Sequence, residues 1–266
     1  MEIQKLKEAK RIIIKVGTST LTYDNGFLNL KRLETLAQVV SDLVNSGREI
    51  VLVSSGAQSA GISKLGLTER PDTREGKQAV AAVGQCELMN MYGRFFAEYS
   101  RNVAQVLLNR SVWDNEEQRH NAENTFRALF KLHCVPIVNE NDTVTYEGIA
   151  FGGNDILSAY VALICDADLL INLSDINGLY DKNPRECDDA VLVRFVDKLD
   201  ERIVSYAGPA GTARGTGGMQ AKLEAARIVT EMGIPMVITN GEEPRVLYDM
   251  LFNSRLDGTF FDACKK

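Results

Sequence analysis

The chain has 266 residues, 45% hydrophobic and 25% charged, enough apolar material for a full core as one large domain or two small ones. With 30 basic residues against 36 acidic ones the formal net charge is −6, leaving no positive excess to grip a phosphate backbone, so no nucleic-acid partner is expected. Cys86, Cys134, Cys165, Cys187 and Cys264 form no C-x-x-C pair, and neither a signal-peptide core nor a membrane-length apolar run is present, which points to a reducing, cytoplasmic setting away from membranes.

In chain order, Arg11 to Gly17 is an isoleucine-rich run that suits a buried strand, and Gly17-Thr18-Ser19-Thr20 turns it out of the sheet. Lys15 at its end is either a lysine reaching for solvent or a ligand contact at the carboxyl edge of a strand. Leu28 to Gly47 predicts a helix with Asn29 as N-cap and an apolar stripe from Leu33 to Val44. Glu49 to Val53 is the next strand, broken by Ser54-Ser55-Gly56-Ala57; strand, helix, strand implies parallel pairing. The serines lack a G-x-S-x-G elbow, so they read as hydrogen-bond donors to an anionic substrate.

Thr73 to Tyr99 reads as helix, its small residues Ala79, Ala81, Ala82 and Gly84 permitting close packing. The cluster Tyr92, Phe95, Phe96 and Tyr99 suits core or a subunit interface. Asn102 to Leu108 is a strand, and Asn109 to Arg119 a polar loop whose Trp113 suits a lid or packing equally. Asn121 to Leu132 is helical, and His133 reads as a packed residue. Val135 to Val138 is a strand ending in Asn139-Glu140-Asn141-Asp142, which are ligand contacts or solvated loop groups. Thr143 to Ala150 alternates like a hairpin arm and leads through Phe151-Gly152-Gly153-Asn154-Asp155 into a helix, Ile156 to Cys165, which Asn154 or Asp155 can cap. Asp168 to Leu173 is a further buried strand ending in Ser174 and Asp175; Ile234 to Thr239 and Gly258 to Phe261 are strands flanking a helix from Pro244 to Phe252.

The stretch Arg214-Gly215-Thr216-Gly217-Gly218-Met219-Gln220-Ala221-Lys222 organises the rest, because glycines running into a helix let backbone N–H groups and the helix dipole approach an anion. Lys222 adds a full positive charge. The plainer alternative is a flexible loop before a surface helix. Gln220 breaks the G-x-G-x-x-G pattern and no G-x-x-x-x-G-K-[ST] occurs, so the dinucleotide and P-loop readings lose support.

Together, Ile13-Ile14-Lys15-Val16-Gly17-Thr18-Ser19, Ser54-Ser55-Gly56-Ala57, Asn139-Glu140-Asn141-Asp142, Gly152-Gly153-Asn154-Asp155 and Gly215-Thr216-Gly217-Gly218-Met219 resemble the amino acid kinase superfamily, in matching order from about Arg11 to Phe261. The resemblance implies an α/β/α sandwich on a largely parallel, eight-stranded sheet. It also implies transfer of the γ-phosphoryl group of ATP to the side-chain carboxylate of L-glutamate, the first step toward proline. By motif matching, Lys15, Lys222 and Asp155 would be catalytic. Lys15, Ser174, Asp175 and the run Thr216, Gly217, Gly218, Met219, Gln220, Ala221 and Lys222 would hold ATP, and Ser55, Asp142 and Asn154 would hold glutamate. Mg²⁺ would be carried mainly by the phosphates, with no metal-holding residue assigned. The resemblance further implies a homo-oligomer and feedback inhibition by proline. Two departures stand out: Gly153 occupies a place where members usually carry Asp, and a PUA domain common in relatives is not expected after Lys266, giving a single domain over 1–266. The rival readings are a sister kinase acting on acetylglutamate, aspartate, carbamate or UMP, and a non-catalytic nucleotide or amino-acid sensor.

Overall fold

Runs of buried β-branched residues alternating with one-sided helices leave the chain a single economical solution, a parallel sheet with helices on both faces. The computed structural model describes residues 2–23, 25–146, 151–208 and 218–263. In order these form α1 (Glu2–Glu8), β1 (Arg11–Val16), α2 (Thr18–Leu21), α3 (Leu30–Asn45), β2 (Glu49–Ser54), α4 (Ala57–Leu65), α5 (Arg74–Ala97), β3 (Val103–Leu108), α6 (Ser111–Asp114) and α7 (Glu116–Lys131). Then follow β4 (Val135–Glu140), α8 (Asn154–Ile164), β5 (Leu169–Ser174), β6 (Phe195–Val196), α9 (Glu201–Ser205), α10 (Met219–Glu231), β7 (Met236–Asn240), α11 (Val246–Leu251) and β8 (Gly258–Phe261).

The eight strands lie in the order β3-β4-β2-β1-β5-β7-β8-β6, and only the β7–β8 pairing is antiparallel. One face carries α3, α5 and α11 over Ile12, Ile14 and Leu52; the other carries α7, α8 and α10 over Ile13, Val51 and Val53. The expected three-layer sandwich is what forms. Because β1, β2, β4 and β5 run parallel, their carboxyl ends open on one edge of the sheet.

Local chemistry sets the helix starts. The Asn29 side chain accepts the Arg32 N–H at 3.1 Å and Thr73 accepts the Gly76 N–H at 3.1 Å, each satisfying a first-turn donor. Close packing of α4 on α5 depends on glycine: a Cβ on Gly84 would stand 1.7 Å from the Ala57 carbonyl oxygen, and one on Gly61 2.0 Å from that of Val80. This contact anchors the segment that follows Ser54-Ser55-Gly56.

Several expectations are corrected. Asn109 to Arg119 is not a loop: Asn115 caps α7 by accepting the Gln118 N–H at 2.9 Å, and that helix starts five residues before the expected Asn121. Trp113 is a packing residue, 4.8 Å from the Tyr160 ring with Arg119 over its own ring. His133 is exposed at a turn with φ +54°, because α7 ends before it and it faces water. Thr143 to Tyr146 form no strand, since Val144 and Thr145 bond back to Asn141 in a turn; 147–150 lie outside the described residues. Tyr92 and Phe96 are core, fully buried beneath α5.

Candidate active site

Lys15, on the last turn of pleat in β1, is a Cα partner of Asn172 on β5, so the two side chains leave the same face of the sheet. Helix α8 crosses that face and presents Asp155 from its first turn, where a carboxylate also meets the positive end of the helix dipole. Lys15 Nζ lies 2.7 Å from Asp155 Oδ1, and Lys222 Nζ, from the first turn of α10, lies 3.4 Å from Asp155 Oδ2. Asn172 Nδ2 donates to Oδ1 at 2.6 Å and orients the carboxylate between the lysines. All three charged residues are buried, at 6%, 2% and 6% exposure for Lys15, Asp155 and Lys222.

Two ammonium groups share the Asp155 carboxylate, and the Asp175 charge also acts on Lys222. Burial pushes the Asp155 carboxyl up, but the attraction of Lys15 and Lys222 more than offsets it and holds the group below the usual carboxylate range. Burial pulls the Lys222 ammonium below the ordinary lysine value, Asp155 resists this, and the like charge of Lys15 adds to it. Buried charges of this kind are costly unless they are paired, as Asp155 is with both lysines.

Beside the cluster, a cleft of 390 Å³ is lined by Ser174, Asp175, Tyr180, Tyr206, Met219 and Lys222, a size suited to a small organic ligand. Gly218 caps α10 in extended backbone, and Gln220 Nε2 donates to the Gly208 carbonyl at 2.9 Å. Ala221 follows on the same first turn. Arg214 to Gly217, including Thr216, lie outside the described residues.

On the other side, Asn154 Nδ2 donates to Ser55 Oγ at 2.9 Å and to Asn139 Oδ1 at 2.9 Å, bringing the ends of β2 and β4 onto the start of α8. Asp142 sits just past β4, and burial raises its carboxyl above the usual range. Burial likewise raises Glu140, with the nearby Asp142 charge adding to the effect, while the Phe151 N–H donated to Glu140 at 3.1 Å opposes it. Gly153, the N-cap of α8, adopts φ +116° and ψ 166°, a region essentially confined to glycine, so an Asp there would strain this turn.

The sequence-predicted residues therefore meet in two groups, Lys15–Asp155–Lys222 and Ser55–Asn154, with Ser174 and Asp175 on the cleft wall. Sequence reasoning missed Asn172, whose signal was a lone amide inside the apolar run Leu169 to Leu173. Asn139 turns out to be neither a solvated loop group nor an exposed contact but a buried partner of Asn154, and Tyr180 and Tyr206 carry no signal in sequence. Among the described residues, no three His, Cys, Asp or Glu side chains converge to hold a metal ion, and no helix is long and apolar enough to cross a membrane.

The amino acid kinase family model matches residues 10–240. The glutamate 5-kinase of Clostridium perfringens is 52% identical over 264 residues, 98% of this chain and 98% of that one. The glutamate 5-kinase of Clostridium tetani is 49% identical over 98% of this chain and 97% of that one. Among solved structures, a UMP kinase from Bacillus anthracis superposes with a TM-score of 0.64 at 18% identity, over 97% of each chain, a likeness of fold alone.

Proposed function

We infer the reaction from descent and geometry together: this chain belongs to the amino acid kinase family, and it transfers the γ-phosphoryl group of ATP to the side-chain carboxylate of L-glutamate. The single observation that carries this is the near-complete alignment, at about half identity, with glutamate 5-kinases. The product is an acyl phosphate, L-glutamyl 5-phosphate, with ADP as the other product. A carboxylate oxygen forms the new bond to Pγ while the Pγ–O bond to the β-phosphate breaks and its electron pair leaves on ADP. Glutamate's carboxyl is ionised at neutral pH, its ordinary pKa being about 4.3, so the nucleophile needs no general base.

The difficulty is electrostatic, since two unit charges about 4 Å apart repel by roughly 4 kcal/mol at an effective dielectric near 20. We propose that Lys15 and Lys222 carry this load. Held at 2.7 and 3.4 Å from one shared carboxylate, they bring two ammonium groups to the place where the transferring oxygens would sit. Asp155 then orients the lysines. The wall formed by Ser174, Asp175 and Met219 suits the nucleoside, and backbone N–H groups from Gly218 through Gln220 suit the phosphates. Ser55, Asn154 and Asp142 would hold glutamate, with Asp142 toward its ammonium.

Among the described residues Asp155 is committed to two lysines. Mg²⁺ would be carried mainly by the nucleotide and would neutralise phosphate charge. The test is hydroxylamine trapping of the acyl phosphate as hydroxamate. L-glutamate with Mg·ATP should give hydroxamate, and N-acetylglutamate much less, because acylation removes the ammonium that pairs with Asp142. Equal rates with the two acceptors would contradict the substrate assignment.

A further inference from the structure

Behind Ser55 and Asn154 runs a line of amides that no part of the reaction yet uses. Asn139 Nδ2 donates to Gln85 Oε1 at 3.0 Å, and Gln85 Nε2 donates to Gln105 Oε1 at 3.3 Å. The line starts on edge strand β3, passes through Gln85 on α5 and Asn139 on β4, and ends on the first turn of α8. Gln85 and Asn139 are buried, at 9% and 5% exposure, and none of their polar atoms is left without a partner.

One backbone group fixes the direction of the whole line. The Glu140 N–H is a donor only, and it points at Asn139 Oδ1 from 2.9 Å, so that atom must be the carbonyl oxygen. The Asn154 atom facing the same oxygen must then be Nδ2, a donor. With one Nδ2 hydrogen on Asn139 and the other on Ser55 Oγ, Asn154 has only its carbonyl oxygen left to offer a ligand. Ser55 Oγ is filled as an acceptor from that side, which leaves its own hydrogen free to donate.

We propose that Gln85 is a positioning residue for the glutamate site: by accepting from Asn139 it locks Asn139 and Asn154 in one amide orientation, so that Asn154 presents an acceptor and Ser55 a donor to a zwitterionic amino acid. The acceptor suits the ammonium and the donor a carboxylate oxygen. This rests on the glutamate reading above. Without Gln85, the buried Asn139 Nδ2 has no partner, and an amide in that position recovers one by shifting or admitting water. A shift of Asn139 moves the oxygen that holds Asn154 Nδ2 and so the orientation of Asn154. The lysine cluster lies outside this line, so nucleotide binding is untouched.

The experiment compares steady-state constants for glutamate and ATP in wild type, Gln85→Leu, Gln85→Met, Gln85→Glu and Gln105→Leu. Gln85→Leu and Gln85→Met are expected to raise the KM for glutamate by roughly 5- to 100-fold, the effect of leaving one buried donor unpaired, with the KM for ATP within about twofold. Gln85→Glu keeps an acceptor facing Asn139 and should recover most of the glutamate KM, a rescue that a purely structural role does not give. Gln105→Leu removes only the far link and should have the smaller effect. A glutamate KM within about twofold of wild type in both apolar variants, an equal rise in the KM for ATP, or failure of both to fold would overturn the proposal. Wild-type protein with no saturable glutamate turnover would overturn the reaction itself and with it this substrate for the relay.

Discussion

The two halves of the site are built on opposite principles. Around Asp155 the chain buries three charged groups that meet at one carboxylate, whereas around Asn154 it sets neutral amides that bond to one another. In the proposed reaction the two lysines of that cluster would meet the phosphates of the nucleotide. The amide line is held in one orientation by its own hydrogen bonds, which would suit a small zwitterion recognised by donor and acceptor placement. Asn154 and Asp155 are adjacent in sequence, so the first turn of α8 joins the two halves.

The contrast breaks most visibly at Asp155. Asp155→Asn keeps the shape but leaves two buried ammonium groups without their counter-charge, and it should destabilise the free protein by about 3–5 kcal/mol in urea unfolding. ATP should restore part of the loss by supplying the missing anion. The wild-type advantage should also shrink in acid, because a carboxyl with a lowered folded pKa stabilises the fold above its ordinary value and loses that contribution as pH falls through the folded one. Equal stability of the two proteins near neutrality would mean that the cluster is not electrostatically coupled.

A smaller effect tests where the halves meet. Gly153→Asp, which supplies the acidic residue usual in the family, places a Cβ-bearing residue at φ +116° and should cost about 1–3 kcal/mol. A variant that loses no stability, measured by the same unfolding curve, would show that the turn tolerates the side chain. The smallest effect is in the pH profile. Lys222 in the free protein sits below the ordinary lysine value, so the alkaline limb of kcat/KM for ATP should fall at lower pH than the limb of kcat, where bound phosphates favour the ammonium form. Coincident limbs would argue that Lys222 does not face the phosphates.

Much of this was legible in residues that act locally. Asn29 caps its helix as its sequence context indicates, and the polar residues that end β2, β4 and β5 fall on one sheet edge because parallel strands share a direction. The alternatives left open at Lys15 and at Asn139 to Asp142 could be settled only by partners distant in sequence. Asp155 lies 140 residues from Lys15, and Gln85 lies 54 residues from Asn139. Asn115 was overlooked as a cap because the run after it, Glu116 to Asn121, is too polar to show a helical apolar period. A nearly unbroken apolar strand hid Asn172, whose side chain matters only beside Asp155.

Single-turnover transfer of labelled γ-phosphoryl from ATP to glutamate tests most directly whether the lysine charges beside Asp155 serve the transfer step. Lys222→Met keeps most of the stem and removes the charge. The transfer rate should fall on the order of 10²- to 10³-fold while ATP still binds, as expected when a preorganised contact is strongest in the transition state. A folded Lys222→Met protein that transfers within about threefold of wild type, under 1 kcal/mol of barrier, would contradict the account.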